Sequence, residues 1–188
     1  MEGKESKKRN KFLLRTKEDG DLNQYWYSLN TIDAMVKEVM ENAKVCAFLS
    51  TPSVYFSLPK KSELRTNSKV FDLDKRFKKD PGFVEYDFNK PDEIPKEIHG
   101  KFDYVVIDPP FITEEVLTLY AKAAKLLLQE EGKILISTLV ENAAIVKKLY
   151  GGMPCKFQPS IPKLVYQYNF YTNYEASALK ETNPEIAG

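Results

Sequence analysis

In the stretch SLNTIDAMVKEVMENA the apolar residues Leu29, Ile32, Val36, Val39 and Ala43 recur at helical spacing, which predicts an amphipathic helix. The run after it, KVCAFLS, is short and continuously apolar, as a strand covered on both faces must be. TPSVYFSL predicts a helix start. Thr51 is a capping residue, Pro52 suits the first helical position, and Pro59 stops the helix. SKVFDLD and PGFVEYDFN predict a second and a third strand, each closing on acids, and FDYVVID a fourth. TEEVLTLYAKAAKLLLQ predicts a helix capped by Thr113, with Val116, Tyr120, Ala123 and Leu127 on its apolar face and Gly132 at its end. KILIST is a fifth strand, and ENAAIVKKLY a helix closed by Gly151 and Gly152. CKFQPS and KLVYQYNFYTNY predict two closing strands.

Apolar strands alternating with helices imply an α/β fold, a mostly parallel sheet with helices on both faces. The closing pair alternates in polarity and predicts an antiparallel hairpin at one edge. In such sheets ligands bind beyond the carboxyl ends of the strands, at the switch point of strand order.

Composition refines this picture only at the ends. The 188 residues suffice for one domain, placed at 21–178, and 43% apolar against 29% charged residues is ordinary for a globular chain. Residues 1–20 are basic and read as a flexible arm, either a solubilising tail or a contact for RNA or an acidic partner. Residues 179–188 read as a polar tail. The net charge of +1 gives no global attraction to nucleic acid or membrane. Cys46 and Cys155 are far apart without metal spacing, so neither a disulfide nor a metal site is expected, and the cytoplasm is the default location. Neither a membrane span nor a signal peptide is apparent.

Four predicted strands end in polar groups: Ser50 and Thr51, then Asp72 and Asp74, then Asp87, then Asp108. A strand-ending aspartate is by itself usually a turn residue. The set at matching positions points to a ligand. A carboxylate after the second strand can grip ribose hydroxyls, and one after the third can take an adenine amine. The turn after the first strand, Ser50-Thr51-Pro52-Ser53, lacks the glycines that admit a pyrophosphate. A capped helix start there suits a ligand bearing an amino-acid carboxylate.

Asp108, Pro109, Pro110 and Phe111 follow the fourth strand. Asp108 can accept a hydrogen bond from a target N–H, and a carbonyl of the rigid Pro-Pro unit can accept a second. Such positioning contributes about 7–11 kcal/mol at best. Phe111 offers a ring face to a planar base or a cation. An isolated DPP would be read as a rigid turn; at this place in the sheet it reads as a site.

DPPF resembles the [DNS]-PP-[FYW] motif of class I amino-methyltransferases. LNQYWYS, LSTPSVY, VFDLDKRF, FVEYDFNKP and VVIDPPFITEE resemble, in order from Leu22 to Tyr174, a narrower family. It was once named for adenine-specific DNA methylation and is regarded as protein-lysine methyltransferases acting on translation elongation factor 1-alpha. The resemblance implies a Rossmann-like sheet of seven strands with the last antiparallel, and S-adenosylmethionine as cofactor. It implies cofactor contacts at Ser50, Thr51, Pro52, Ser53, Asp74, Asp87 and Asp108, and a target amine at Asp108 to Phe111. Trp26 and Tyr27 either pack the first helix on the sheet or cover the cofactor. The expected enzyme is a monomer, and a neutral amine attacks the methyl directly. Two rivals stay open: an adenine methyltransferase for DNA or RNA, favoured by the basic arm and RFKKDPG, and a non-catalytic partner subunit.

Overall fold

The computed structural model describes residues 9–186. Seven strands form one sheet: β1 Cys46–Leu49, β2 Lys69–Asp72, β3 Phe83–Glu85, β4 Phe102–Ile107, β5 Leu128–Leu139, β6 Met153–Pro154 and β7 Tyr168–Thr172. Their order is β3-β2-β1-β4-β5-β7-β6. All pairs from β3 to β5 are parallel, and β7 runs antiparallel between β5 and β6. The chain steps outward from β1 to β3 and then crosses back to β4. The switch point therefore lies between β1 and β4.

The helices are α1 Lys11–Arg15, α2 Leu29–Asn42, α3 Pro52–Tyr55, α4 Glu63–Asn67, α5 Glu114–Leu127 and α6 Ala143–Tyr150. Successive β1 side chains alternate between two cores, as period-2 geometry requires. Ala47 and Leu49 join the core covered by α5 and α6, and Cys46 and Phe48 the core under α2 and α3. Thr113 caps α5, as expected, and Ser28 caps α2. Among the described residues no helix is long and apolar enough to cross a membrane.

Several local expectations change. α3 is a single turn, and Thr51 makes no capping bond. α5 ends at Leu127, not at Gly132, and the left-handed residue is Glu131 at φ +58°, in the irregular part of β5 between Leu128 and Lys133. Gly132 sits in close packing: a Cβ there would lie 2.5 Å from Leu128 Cδ2 and 3.1 Å from Gln129 O. CKFQPS is not a strand; β6 is the two residues before it. β7 starts only at Tyr168, which leaves Val165, Tyr166 and Gln167 exposed ahead of it.

The ordered unit also runs past both expected boundaries. Residues 1–8 and 187–188 lie outside the described residues, but the rest of the expected arm and tail is packed. Asn10 caps α1, and Phe12 is buried against Trp26, Phe56 and Phe77, with ring centroids 5.1, 5.9 and 6.1 Å away. At the other end Leu179 and Asn183 are fully buried. A buried aromatic outweighs the solvation of the surrounding lysines and arginines, which is why a basic composition misleads here.

Candidate active site

Leu49 pairs with Phe71 on one side and Ile107 on the other, so the next residues of the three strands come level. These are Ser50, Asp72 and Asp108. Two bonds extend the ladder to the turn: Ser50 N–H donates to Phe71 O at 2.9 Å, and Asp108 N–H to Leu49 O at 3.2 Å. Ser50 adopts φ +57°, a left-handed conformation that normally falls to glycine and costs a side chain about 1–3 kcal/mol. The Ser50 hydroxyl is held 2.7 Å from Tyr120 Oη. The turn thus takes a glycine-like shape with serine in place.

A cavity of about 190 Å³ opens over these three residues. Ser50, Pro52, Asp72 and the Asp108–Phe111 turn line its sheet side; Asn23 to Trp26 and Tyr168 face them. One wall is aromatic from floor to mouth. Tyr86 stands 5.9 Å from Tyr120, Tyr120 stacks 5.6 Å from Phe88, and Phe88 lies 6.2 Å from Phe111. Phe111 itself is 50% exposed at the mouth.

Burial pushes the Asp108 carboxyl up to about 8; the Tyr27 hydroxyl opposes the shift and the charge of Asp72 adds to it. Burial likewise raises Asp72 to about 6, against the Asp74 N–H that donates to it at 2.8 Å. Tyr27 Oη is buried within reach of both Asp108 and Ser137, yet neither it nor Ser137 Oγ forms a hydrogen bond of good geometry. Thr51 Oγ1 and Tyr86 Oη are also buried without partners. All four orphan hydroxyls belong to residues at or beside the carboxyl edge of the sheet.

The expected site residues fall into three groups. Ser50, Pro52, Asp108, Pro109, Pro110, Phe111 and Trp26 line the cavity. Thr51, Ser53 and Tyr27 are buried beside it. Asp74 and Asp87 do not line it. Asp74 is held by Gln24 Nε2 at 2.9 Å and by Arg76 Nη2 at 2.7 Å, and Asp87 Oδ1 accepts the Asn89 N–H at 3.0 Å. Burial works against the Asp74 charge, but the bonds from Arg76 and Gln24 outweigh it and hold its pKa low. Asp72, the last residue of β2, occupies the place expected of Asp74. The expected carbonyl acceptor is also partly engaged, because the Asn23 side-chain amide donates to Pro110 O.

The donor set fits S-adenosylmethionine. Asp72 could accept from ribose hydroxyls, Tyr86 and Phe88 could offer flat faces to adenine, and the unpartnered hydroxyls lie around a site whose carboxyls a cation would stabilise. Trp26 is placed between the cavity and the segment before it. Its ring faces the cavity, and its indole N–H donates to Thr16 O at 2.9 Å.

Comparisons with known proteins agree on the class. A family model described as probable N6-adenine methyltransferase matches residues 18–176. A protein-lysine N-methyltransferase of Dictyostelium discoideum is 36% identical over 171 residues, covering 86% of this chain and 80% of its own length. EEF1A lysine methyltransferase 1 of Mus musculus is 34% identical over 168 residues, covering 85% of this chain and 76% of its own. In fold, the chain is similar to the 1,6-didemethyltoxoflavin-N1-methyltransferase of Burkholderia thailandensis, solved with S-adenosylhomocysteine (TM-score 0.50, 14% identity, 82% of this chain and 79% of that one).

Proposed function

This chain belongs to the family described as probable N6-adenine methyltransferases, and we propose that the amine it methylates is a lysine side chain of translation elongation factor 1-alpha. It is an S-adenosylmethionine-dependent N-methyltransferase. The observation that carries the substrate is that relatives spanning most of the chain are named for protein lysine, and for this factor. The cavity mouth supports it. Asp21 lines it, and Lys163 beside it is paired with Glu18 at 3.2 Å, a poor setting for phosphates. The reading puts the enzyme beside its substrate in the cytoplasm, as a monomer.

The cofactor supplies a methyl group on a sulfonium. The chain must hold the amine, and the amine must lose a proton. In water the gap between a lysine and an aspartate is about 6 units. With Asp108 raised to about 8 the gap closes to roughly 2, and burial of the lysine narrows it further. Once a bound cation has ionised it, Asp108 can take the proton as well as orient the amine. Phe111 and Trp26 offer ring faces to the ammonium as it enters. The Asn23 bond fixes the Pro110 peptide, so the turn is set before substrate arrives.

An adenine amine is the second reading, favoured by the family's description. Radiolabelled cofactor with the purified protein and a lysate separates the two. Label is expected on protein, removed by protease and not by nuclease, and on purified elongation factor 1-alpha. Label confined to nucleic acid would reverse the assignment.

A further inference from the structure

Among the described residues, the exposed apolar side chains around the cavity mouth include Tyr25, Phe111, Ile112, Val140, Val165 and Tyr166. Val165 is 94% exposed and Tyr166 68%. They come from four separate segments, yet they form one rim. Tyr25 and Phe111 line the cavity together with Leu164 and Tyr168, which bracket Val165 and Tyr166 in the chain. Val140 N–H donates to Gln167 O at 3.3 Å, and Asn142 Nδ2 donates to Ile112 O at 2.9 Å, tying the remaining two into the same rim. Apolar groups concentrated around a site mark an interaction surface.

The charges beside the rim are informative. Exposed acids border it: Asp21 by Tyr25, Glu115 after Ile112, and Glu141 after Val140. The neighbouring cation Lys163 is neutralised by Glu18. A nucleic-acid backbone would be repelled. A second copy docked about a two-fold axis would bring like patches together, acid against acid. A basic, lysine-bearing protein segment is complementary in both respects.

We infer that this rim is the docking surface for the protein substrate. The apolar side chains grip residues flanking the target lysine, and the acids attract the basic groups around it. The inference rests on the reading of the preceding subsection, with elongation factor 1-alpha as the occupant. A lysine side chain offers little to recognise on its own, so selection among lysines falls to the surface around the entrance.

Steady-state methylation of purified elongation factor 1-alpha tests it. Val165→Asp should raise KM for that protein about tenfold or more, and Tyr166→Ala should act in the same direction. Calorimetric affinity for S-adenosylhomocysteine should be unchanged, which also shows that the variant is folded. Met153→Asp, at an exposed position on the β6 edge, is the control and should leave KM as it is. Transfer by the wild type with an unaltered KM in Val165→Asp overturns the docking surface alone. No transfer by the wild type overturns the occupant together with the reading it rests on. Concentration-dependent dimerisation in ultracentrifugation, abolished by Val165→Asp while KM stays the same, assigns the rim to self-association and overturns the inference.

Discussion

Asp108 binds its proton more tightly in the folded protein, near pH 8, than in an unfolded chain, where an aspartate titrates near 4. Folding therefore takes up a proton between those values, and the free protein loses stability as pH rises through that window. Asp72 acts in the same sense up to about pH 6. Thermal melts from pH 5 to 9 should show the wild type falling behind Asp108→Asn as pH rises; parallel curves would show that Asp108 titrates normally. Asp108→Ala should lower single-turnover methylation about a hundredfold or more in cofactor-saturated protein, the scale of a lost acid–base group. Tyr27 acts through Asp108. Its hydroxyl has no fully formed bond to lose, so Tyr27→Phe should leave the melting temperature nearly unchanged. It should instead slow turnover roughly tenfold and move the pH profile upward, because the hydroxyl opposes the raised pKa. A drop in melting temperature with an unmoved profile would make Tyr27 a packing residue only.

At the scale of elements, the segment before α2 is a strap fastened across the site. Gln24 is bonded to Asp74, Arg76 Nη1 reaches Lys17 O at 3.0 Å, and Asn23 holds Pro110. Phe12 anchors its far end. Phe12→Ala should cost about 3 kcal/mol, as large-to-small changes in an aromatic cluster do, and should speed proteolysis near Trp26. Unchanged denaturant midpoint and cleavage would mean that the strap is held elsewhere. Strands β1 to β5, α2, α5 and the DPPF turn were legible because periodicity, caps and prolines are local signals. The strap was not, since lone apolar residues among lysines carry no period. Which of Asp72 and Asp74 lines the cavity was hidden for a related reason: both stand at the end of one strand, and only the partners Arg76 and Gln24 show which carboxyl is engaged. The early start of the Val165–Gln167 loop contradicts an alternation that reads equally well as strand.

For the whole molecule, the segment around Asn183 folds back onto the start of α2. Ser28 Oγ donates to Glu185 Oε1 at 2.6 Å, and Asn30 Nδ2 to Asn183 Oδ1 at 3.0 Å. Asn183 Nδ2 in turn donates to Gln158 O at 2.8 Å. Buried Glu38 of α2 accepts the Tyr174 hydroxyl at 2.7 Å and the Ser177 N–H at 3.0 Å. Asn183→Ala should cost about 1–3 kcal/mol, the penalty for partners left unsatisfied, measured by chemical denaturation. A change within error would show that the tail closes nothing. This closure also bears on how the protein is made. A growing chain on the ribosome exposes α2 and most of the sheet long before residues 168–185 emerge to cover and pin them. Its apolar face stays open until that segment has emerged and folded back, which leaves the partly made chain prone to association through that face.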